Sequence, residues 1–355
     1  MGPCSLKAAQ LRRTSAGWEL KDLLLLEFSS LRDGREAADP EEIALQLKTL
    51  IKDSSLSGRA VVSAMPSAQL DIIPIKILRG EKDDFEEALI KEARAYLSYD
   101  IEDAVIDYLP LKEKSSEQDA NKACKTLLIS AKREDVDAHL ALLKSVKLKP
   151  VAIDIRASAL ARLFRYVHGK GSKNSLVVNM DNACTSLTIM GSQEILLDRN
   201  IPWGRDSLVN CLTQHLELDT EKSGELLGRI RLASQQGAGG TDRNPEQGET
   251  NRLEETISEI ISPELERLVQ EIERVFIYFS SEMRGAVLDE ISLTGRCSTI
   301  RDLDLFLQER TEVPTQFFDP LNDLGLNQAD LPDKPLNGHG PLFSVALGLA
   351  LRGIQ

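Results

Sequence analysis

Twice along the chain a pair of strands flanking a short polar turn leads on towards a helix, once in each half. In the first half "SLKAAQLRR" and "GWELKDLLLLEFS" flank the turn "TSAG". The helix "DPEEIALQLKTLIKD" follows, with Pro40 at its start and Glu41 and Glu42 in its first turn, where the helix dipole favours acids. In the second half "SLVVNMDNACTSLTIMG", Ser175 to Gly191, is followed by "EILLDRNIPWG" and a helix from Asp206 to Leu216. Such repetition in 355 residues predicts an α/β protein built by internal duplication.

The first half carries an insertion. "GRAVVSAMP" reads as a buried strand. It is followed by the strand "LDIIPIKIL", the helix "KDDFEEALIKEARAYLS", the strands "DAVIDYLPL" and "CKTLLISAK", and the helix "REDVDAHLALLKSVKLK". That β-α-β-β-α order predicts a small unit with its own sheet, after which "PVAIDIR" returns the chain to the first domain and "ASALARLFRYVHG" forms a helix. In the second half a helix is expected from Thr220 to Ala233, then a mobile Gly-rich loop over 234–251. A long helix follows, and Pro263 is expected to break or restart it. The strand "LDEISLTG", the helix "TIRDLDLFLQERT", the extended "VPTQFFDP" and a final helix complete the chain.

Composition excludes several classes. A net charge of −13 argues against nucleic acid or an anionic membrane as the main partner. The apolar run "PLFSVALGLALRG" is shorter than the roughly 18–20 residues of a membrane span, and the N-terminus has no secretory h-region. Five scattered cysteines without CxxC fit a reducing cytoplasm, and the four dispersed histidines suggest no metal centre.

The order and spacing of "AVVSAMPSAQL", "EEALIKEARAYLSYDIEDAVIDYLPL", "LKPVAIDIRASALAR", "LLDRNIPWGRDSL", "DEISLTGRC" and "LFSVALGLALRG" resemble the type IV pilus assembly protein PilM family. These proteins are relatives of FtsA in the actin and Hsp70 superfamily. The resemblance implies an α/β, actin-like (ribonuclease H-like) fold of duplicated domains. The first domain would comprise 1–68 with 151–172, the inserted FtsA-type subdomain 69–150, and the second domain 173–355, with a helical subdomain at about 205–286. It implies a cytoplasmic protein that binds the N-terminal cytoplasmic peptide of a PilN-like inner-membrane protein. It would thereby join the PilO-linked alignment complex to the pilus motor, reaching the membrane only through partners.

The resemblance also implies an ATP and Mg²⁺ cleft, for which two hairpins must offer backbone N–H groups and acids to phosphate and metal. Gly2, Ser5 and Lys7 fall on the first hairpin. The strand and Asp expected before it lie ahead of Met1, so the natural start is expected upstream; a true truncation with another element filling the gap is the alternative. On the second hairpin Asn179 stands at the family's Asp position and Asp181 at its Gly position, with Thr185 following. An amide supplies no charge for Mg²⁺, and a carboxylate repels γ-phosphate unless it replaces the lost acid from a shifted place.

Gly204 and Asp206 persist with Arg205 in place of a second Gly, and Thr294 and Gly295 persist before Arg296 and Cys297. Gly224 and Leu227 replace a Glu and a Lys, and Arg156 an acid. These departures fall in one cleft and argue for a fold kept and a nucleotide site eroded. The function expected is then a non-enzymatic pilus scaffold. An ATP-gated switch and the actin-like component of a type II secretion system are the alternatives; a kinase lacks a general base. The peptide is expected at the edge of "PSAQLDIIPIKIL" and at "VAIDIR", near Glu102, Asp103 and Asp107.

Overall fold

The computed structural model describes residues 5–15, 17–27, 40–78, 85–111, 123–169, 173–191, 194–232, 245–283, 285–326 and 340–352. The chain divides into two units, one of Met1–Tyr166, Gln193–Asp198 and Val345–Gln355, the other of Val167–Ser192 and Arg199–Ser344.

In the first unit β1 (Ser5–Thr14) and β2 (Gly17–Glu27) form an antiparallel pair, followed by α1 (Pro40–Lys52). β3 (Ala60–Ala64) leads into the insertion: β4 (Asp71–Leu78), α2 (Phe85–Tyr96), β5 (Ala104–Pro110), β6 (Ala123–Lys132) and α3 (Arg133–Ser145). The insertion has the expected β-α-β-β-α order and its own antiparallel sheet, β4-β6-β5. Alternate residues Ile75 and Ile77 of β4 and Leu128 of β6 pack against Leu89 and Ala93 of α2, the period-2 face of a strand meeting a helical stripe. Pro74, which has no N–H to donate, sits on the edge strand, where that lack is tolerated.

β7 (Lys149–Asp154) then pairs in parallel with β3, and α4 (Arg156–His168) follows. Asp154, buried at the end of β7, accepts from Arg162 of α4 at 2.8 Å and from Arg352 of the last helix at 2.9 Å. Both guanidiniums thus compensate one desolvated carboxylate and pin two helices to the strand end.

The sequence reads β3 as buried, and the structure corrects this. Only Ala64 is buried; Val61, Val62 and Ser63 are half-exposed and Ala60 is exposed. The reason is pairing: β3 has a partner strand on the β7 side alone among the described residues.

The second unit is built on β8 (Ser175–Met180) and β9 (Thr185–Met190), every residue of both buried. β10 (Ile195–Ile201), β11 (Glu290–Gly295) and β12 (Thr315–Phe317) complete a sheet of order β10-β9-β8-β11-β12. β11 runs parallel to both β8 and β12, and β9 antiparallel to β8. Its helices are α5 (Arg205–Leu216), α6 (Thr220–Arg229), α7 (Pro245–Glu282), α8 (Leu303–Thr311) and α9 (Pro320–Asp323), and α10 (Ser344–Arg352) belongs from Val345 on to the first unit.

Three helix expectations need correction. α6 stops at Arg229, because Ile230 is extended and Arg231 makes a parallel bridge to Arg301. The stretch 234–251 is not all loop: Pro245 onward is the first turns of α7, while 233–244 lie outside the described residues. Pro263 does not break α7. It lies on the exposed side, where water can satisfy the carbonyl it leaves free, while Ile257, Ile261, Leu265, Leu268 and Ile272 carry one buried stripe past it.

His139 on α3 gives this architecture a pH dependence. Its Nε2 lies 2.9 Å from Ser63 Oγ, the residue is 5% exposed, and burial lowers its pKa from 6.5 to about 4. A neutral buried imidazole stabilises the fold fully above pH 6.5, and the unfolded chain gains protons first as pH falls towards 4. Up to about 3 kcal/mol is lost across that window. Urea midpoints measured between pH 7 and pH 4.5 should therefore fall with pH, and His139→Gln should flatten that slope.

Candidate functional site

The carboxyl ends of β8 and β11, adjacent and parallel, are where an open α/β sheet offers a crevice. Asn179, one residue before the end of β8, lies beside Thr294 of β11, and Met180, which ends β8, lies beside Gly295. Gly295 has φ +89, and a side chain there would meet the Met180 carbonyl at 2.3 Å, so both conformation and contact require glycine. Thr294 Oγ1 donates to the Pro341 carbonyl at 3.0 Å and lies 2.6 Å from Ser344 Oγ, which commits that hydroxyl to the protein's own backbone and side chains.

The turn between β8 and β9 closes through Asp181 N–H donating to the Cys184 carbonyl at 3.0 Å. Its tip then meets the start of α5. Arg205 N–H donates to the Asp181 carbonyl at 3.0 Å and Asp206 N–H to the Asn182 carbonyl at 2.9 Å. Unpaired N–H groups at a helix start are the usual seat of a phosphate. Here two of them are taken by the hairpin. Gly204 makes the approach feasible, since a Cβ there would lie 2.1 Å from the Asn182 carbonyl oxygen. Thr185 Oγ1 anchors the other side, donating at 2.8 Å to the carbonyl of Trp203, whose own indole N–H donates to Glu264 O of α7 at 2.9 Å.

Charge fills what remains. The Arg205 guanidinium donates to the Gly224 carbonyl, and its nitrogens come within 3.1 and 3.3 Å of where a Gly224 side chain would begin. Any larger residue at 224 would displace it. Burial raises the Asp206 pKa, opposed by Arg205 and Arg296 and reinforced by Asp181. Burial likewise pushes the Cys297 thiol up to about 12, so it is inert as a nucleophile. Two acids and two arginines therefore lie close enough at the strand ends to feel one another.

Asn179, Asp181, Thr185, Gly204, Thr294 and Gly295 are thus brought together in the second unit. Ser5 and Lys7 lie at the start of β1 in the first unit, and Gly2 lies outside the described residues. Sequence reasoning treats Arg205 and Gly224 as separate departures; the structure makes them one contact. Asn182 was missed, and no side-chain signal could have found it, because its backbone carbonyl does the work.

In the second unit the arrangement does not suit a phosphate at the start of α5: two of its N–H groups are taken by the hairpin, and Arg205 stands against Gly224. Among the described residues no helix is long and apolar enough to cross a membrane.

The fold of the two α/β units is that of the actin-like class, as expected. The description "Type IV pilus assembly protein PilM" matches residues 1–230 and 243–354, and the chain belongs to that family. Among solved structures it is similar to the "PilM-PilN type IV pilus biogenesis complex", at 23% identity and a TM-score of 0.79, covering 100% of this chain and 97% of that one. It is also similar to ethanolamine utilization protein EutJ from Carboxydothermus hydrogenoformans, at 11% identity and a TM-score of 0.52, covering 98% and 89%.

A methyl at position 204 should part the hairpin from α5. Gly204→Ala is expected to cost about 1–3 kcal/mol, the range for a forced overpacking, read as a lower urea midpoint. The amides of Arg205 and Asp206 should then lose hydrogen-exchange protection.

Proposed function

We propose that this protein is a non-enzymatic scaffold of type IV pilus assembly, holding the basic N-terminal peptide of a PilN-like protein and so linking the alignment complex to the motor at the inner membrane. The observation that carries the non-enzymatic part is the bonding of the α5 start by the hairpin tip, with Arg205 seated against Gly224. Donors committed to the protein's own backbone are not offered to the charge that develops in phosphoryl transfer.

Support for the peptide role comes from family membership and from the first unit. β4 is an edge strand of its sheet, and β7 is paired only with β3 among the described residues, so each presents a strand edge to which an extended peptide can add. Glu102 and Asp103, just before β5, and Asp107 on it are all exposed, and Asp107 shares a face of the strand with Val105. These acids lie by β5, the edge of the sheet opposite β4, where they suit the steering of a basic peptide's approach. With this role goes the division into a first domain of 1–68 and 151–172, an inserted subdomain of 69–150 and a second domain of 173–355.

Two titrations test the proposal. Calorimetry with Mg·ATP should give no binding heat, whereas a synthetic N-terminal peptide of a PilN-like protein should bind. The pair Asp103→Lys and Asp107→Lys should weaken the peptide roughly tenfold, or about 1.4 kcal/mol, and reduce its salt dependence. Tight, Mg²⁺-dependent ATP binding would overturn the scaffold in favour of a nucleotide-gated switch.

A further inference from the structure

The charge of the first unit is unevenly placed. Helices α1 and α3 begin with acids, Glu41 and Glu42 on one and Glu134 and Asp135 on the other, and both end in lysines. The two basic ends meet. Lys149 N–H, where β7 begins, donates at 2.7 Å to the carbonyl of Arg59, the residue ahead of β3. The lead-in to β3 is tied in turn to β1, since the Gln10 side-chain amide donates to the Ser57 carbonyl at 2.8 Å and accepts from the Ser57 N–H at 2.9 Å. Ile51 of α1 and Leu148 after α3 pack against one apolar cluster and line the same gap of about 300 Å³ between β1 and β3. One end of the unit therefore gathers Lys48, Lys52, Arg59, Lys144, Lys147 and Lys149.

All six are exposed, and none forms an ion pair or a side-chain hydrogen bond with a described residue. Across the segments that carry them, 48–59 and 144–149, the one carboxylate is that of Asp53. Helix dipoles account for Lys52 and Lys144, which stand in last turns where a cation is favoured. They do not account for Arg59 and Lys149, like charges that strand pairing brings to neighbouring strand starts, where they repel. Nor do they account for Lys147. It has φ +63, in a turn closed by Leu148 N–H donating to the Leu143 carbonyl at 3.1 Å. That left-handed position after a helix is glycine's by preference, so the lysine is held there against the tendency of its backbone. Charges kept at a conformational and electrostatic cost, and left unpaired by the described residues, point to an anionic partner outside the chain.

We infer that this basic end is a docking surface for the anionic headgroups of a lipid bilayer. The residue chemistry selects that occupant. Five of the six are lysines, hydrated point charges on flexible stems that suit a diffuse anionic surface, whereas carboxylates on a peptide are gripped better by the planar fork of arginine. Val151 of β7, 56% exposed and two residues on from Lys149, sets an apolar side chain beside the charges, as the boundary between headgroups and acyl chains favours. The net charge of −13 does not oppose the contact. α1 has 13 residues and is therefore about 20 Å long, while screening at physiological salt acts over about 8 Å. The acids at its start do not reach a surface that meets its end. They turn the unit instead, with the basic end towards the bilayer. This contact goes beyond the scaffold reading and does not depend on it.

The test is flotation of the 355-residue chain with vesicles of phosphatidylcholine, alone or with roughly a third phosphatidylglycerol. The protein should float with the anionic vesicles only, and about 0.5 M salt should release it. Arg59→Glu, Lys147→Glu and Lys149→Glu together should weaken binding at least about tenfold, with the thermal midpoint preserved because all three side chains are exposed. Lys147→Gly separates charge from fold. It should match or exceed the unaltered chain in thermal midpoint, by relieving the left-handed lysine, and yet bind the anionic vesicles more weakly. Equal flotation with neutral and anionic vesicles would overturn the inference, as would undiminished binding by either folded variant. Absence of flotation would overturn it as well, and salt-sensitive binding of a polyglutamate peptide in that case would assign the surface to an acidic protein segment.

Discussion

Two backbone hydrogen bonds, from the N–H groups of Arg205 and Asp206 to the carbonyls of Asp181 and Asn182, govern the chemistry of the second unit. They join the tip of a wholly buried hairpin to the positive end of α5, where the helix dipole favours an electron-rich partner. In a phosphate-binding site that partner would be the ligand. Here it is the protein, and the consequences spread outward. Gly204 is held to glycine by the close approach, Trp203 is buried with its indole committed to α7, and Arg205 turns towards Gly224. Arg205 and Gly224, which read in the sequence as separate departures, are thus two sides of one contact.

The same economy of contacts holds the first unit together. Asp154 accepts from arginines on two helices, and Arg162 spans from it to the Gly348 carbonyl at 2.8 Å. Gly348 packs so closely on α4 that a Cβ would lie 2.1 Å from the Ala159 carbonyl oxygen. This backbone-to-backbone contact, sealed by a buried charge network, fixes the last helix although it follows β7 by nearly 200 residues. Hydrophobic patterning shows such a helix to be buried but says nothing of which neighbour it meets.

How far the sequence carries depends on the range of the forces involved. Strand pairs, the β-α-β-β-α insertion and the acidic helix starts are set by alternation, turns and caps, and all are legible within a dozen residues. Pro263 misleads because its local cost is outweighed by the buried stripe from Ile257 to Ile272, a tertiary effect. Arg205 and Gly224 lie 19 residues apart, and their coupling exists only once α5 and α6 pack. The carbonyls of Asp181 and Asn182 carry the site, yet every residue has a carbonyl, so side-chain identity could not mark them.

β3 is the most informative miss, because its apolar sequence reads as that of an interior strand while the structure leaves it half-exposed. Val61 and Val62 on one side of a gap and Ala8 and Ala9 on the other are residues selected for a dry interior. A sheet edge meant for solvent is protected by charge, proline or a bulge. β3 has none of these within Ala60–Ala64 beyond its register shift towards β7, and Gln10 closes only one end of the gap. Its composition reads as that of a central strand, and its exposure is set by pairing, which among the described residues it has with β7 alone.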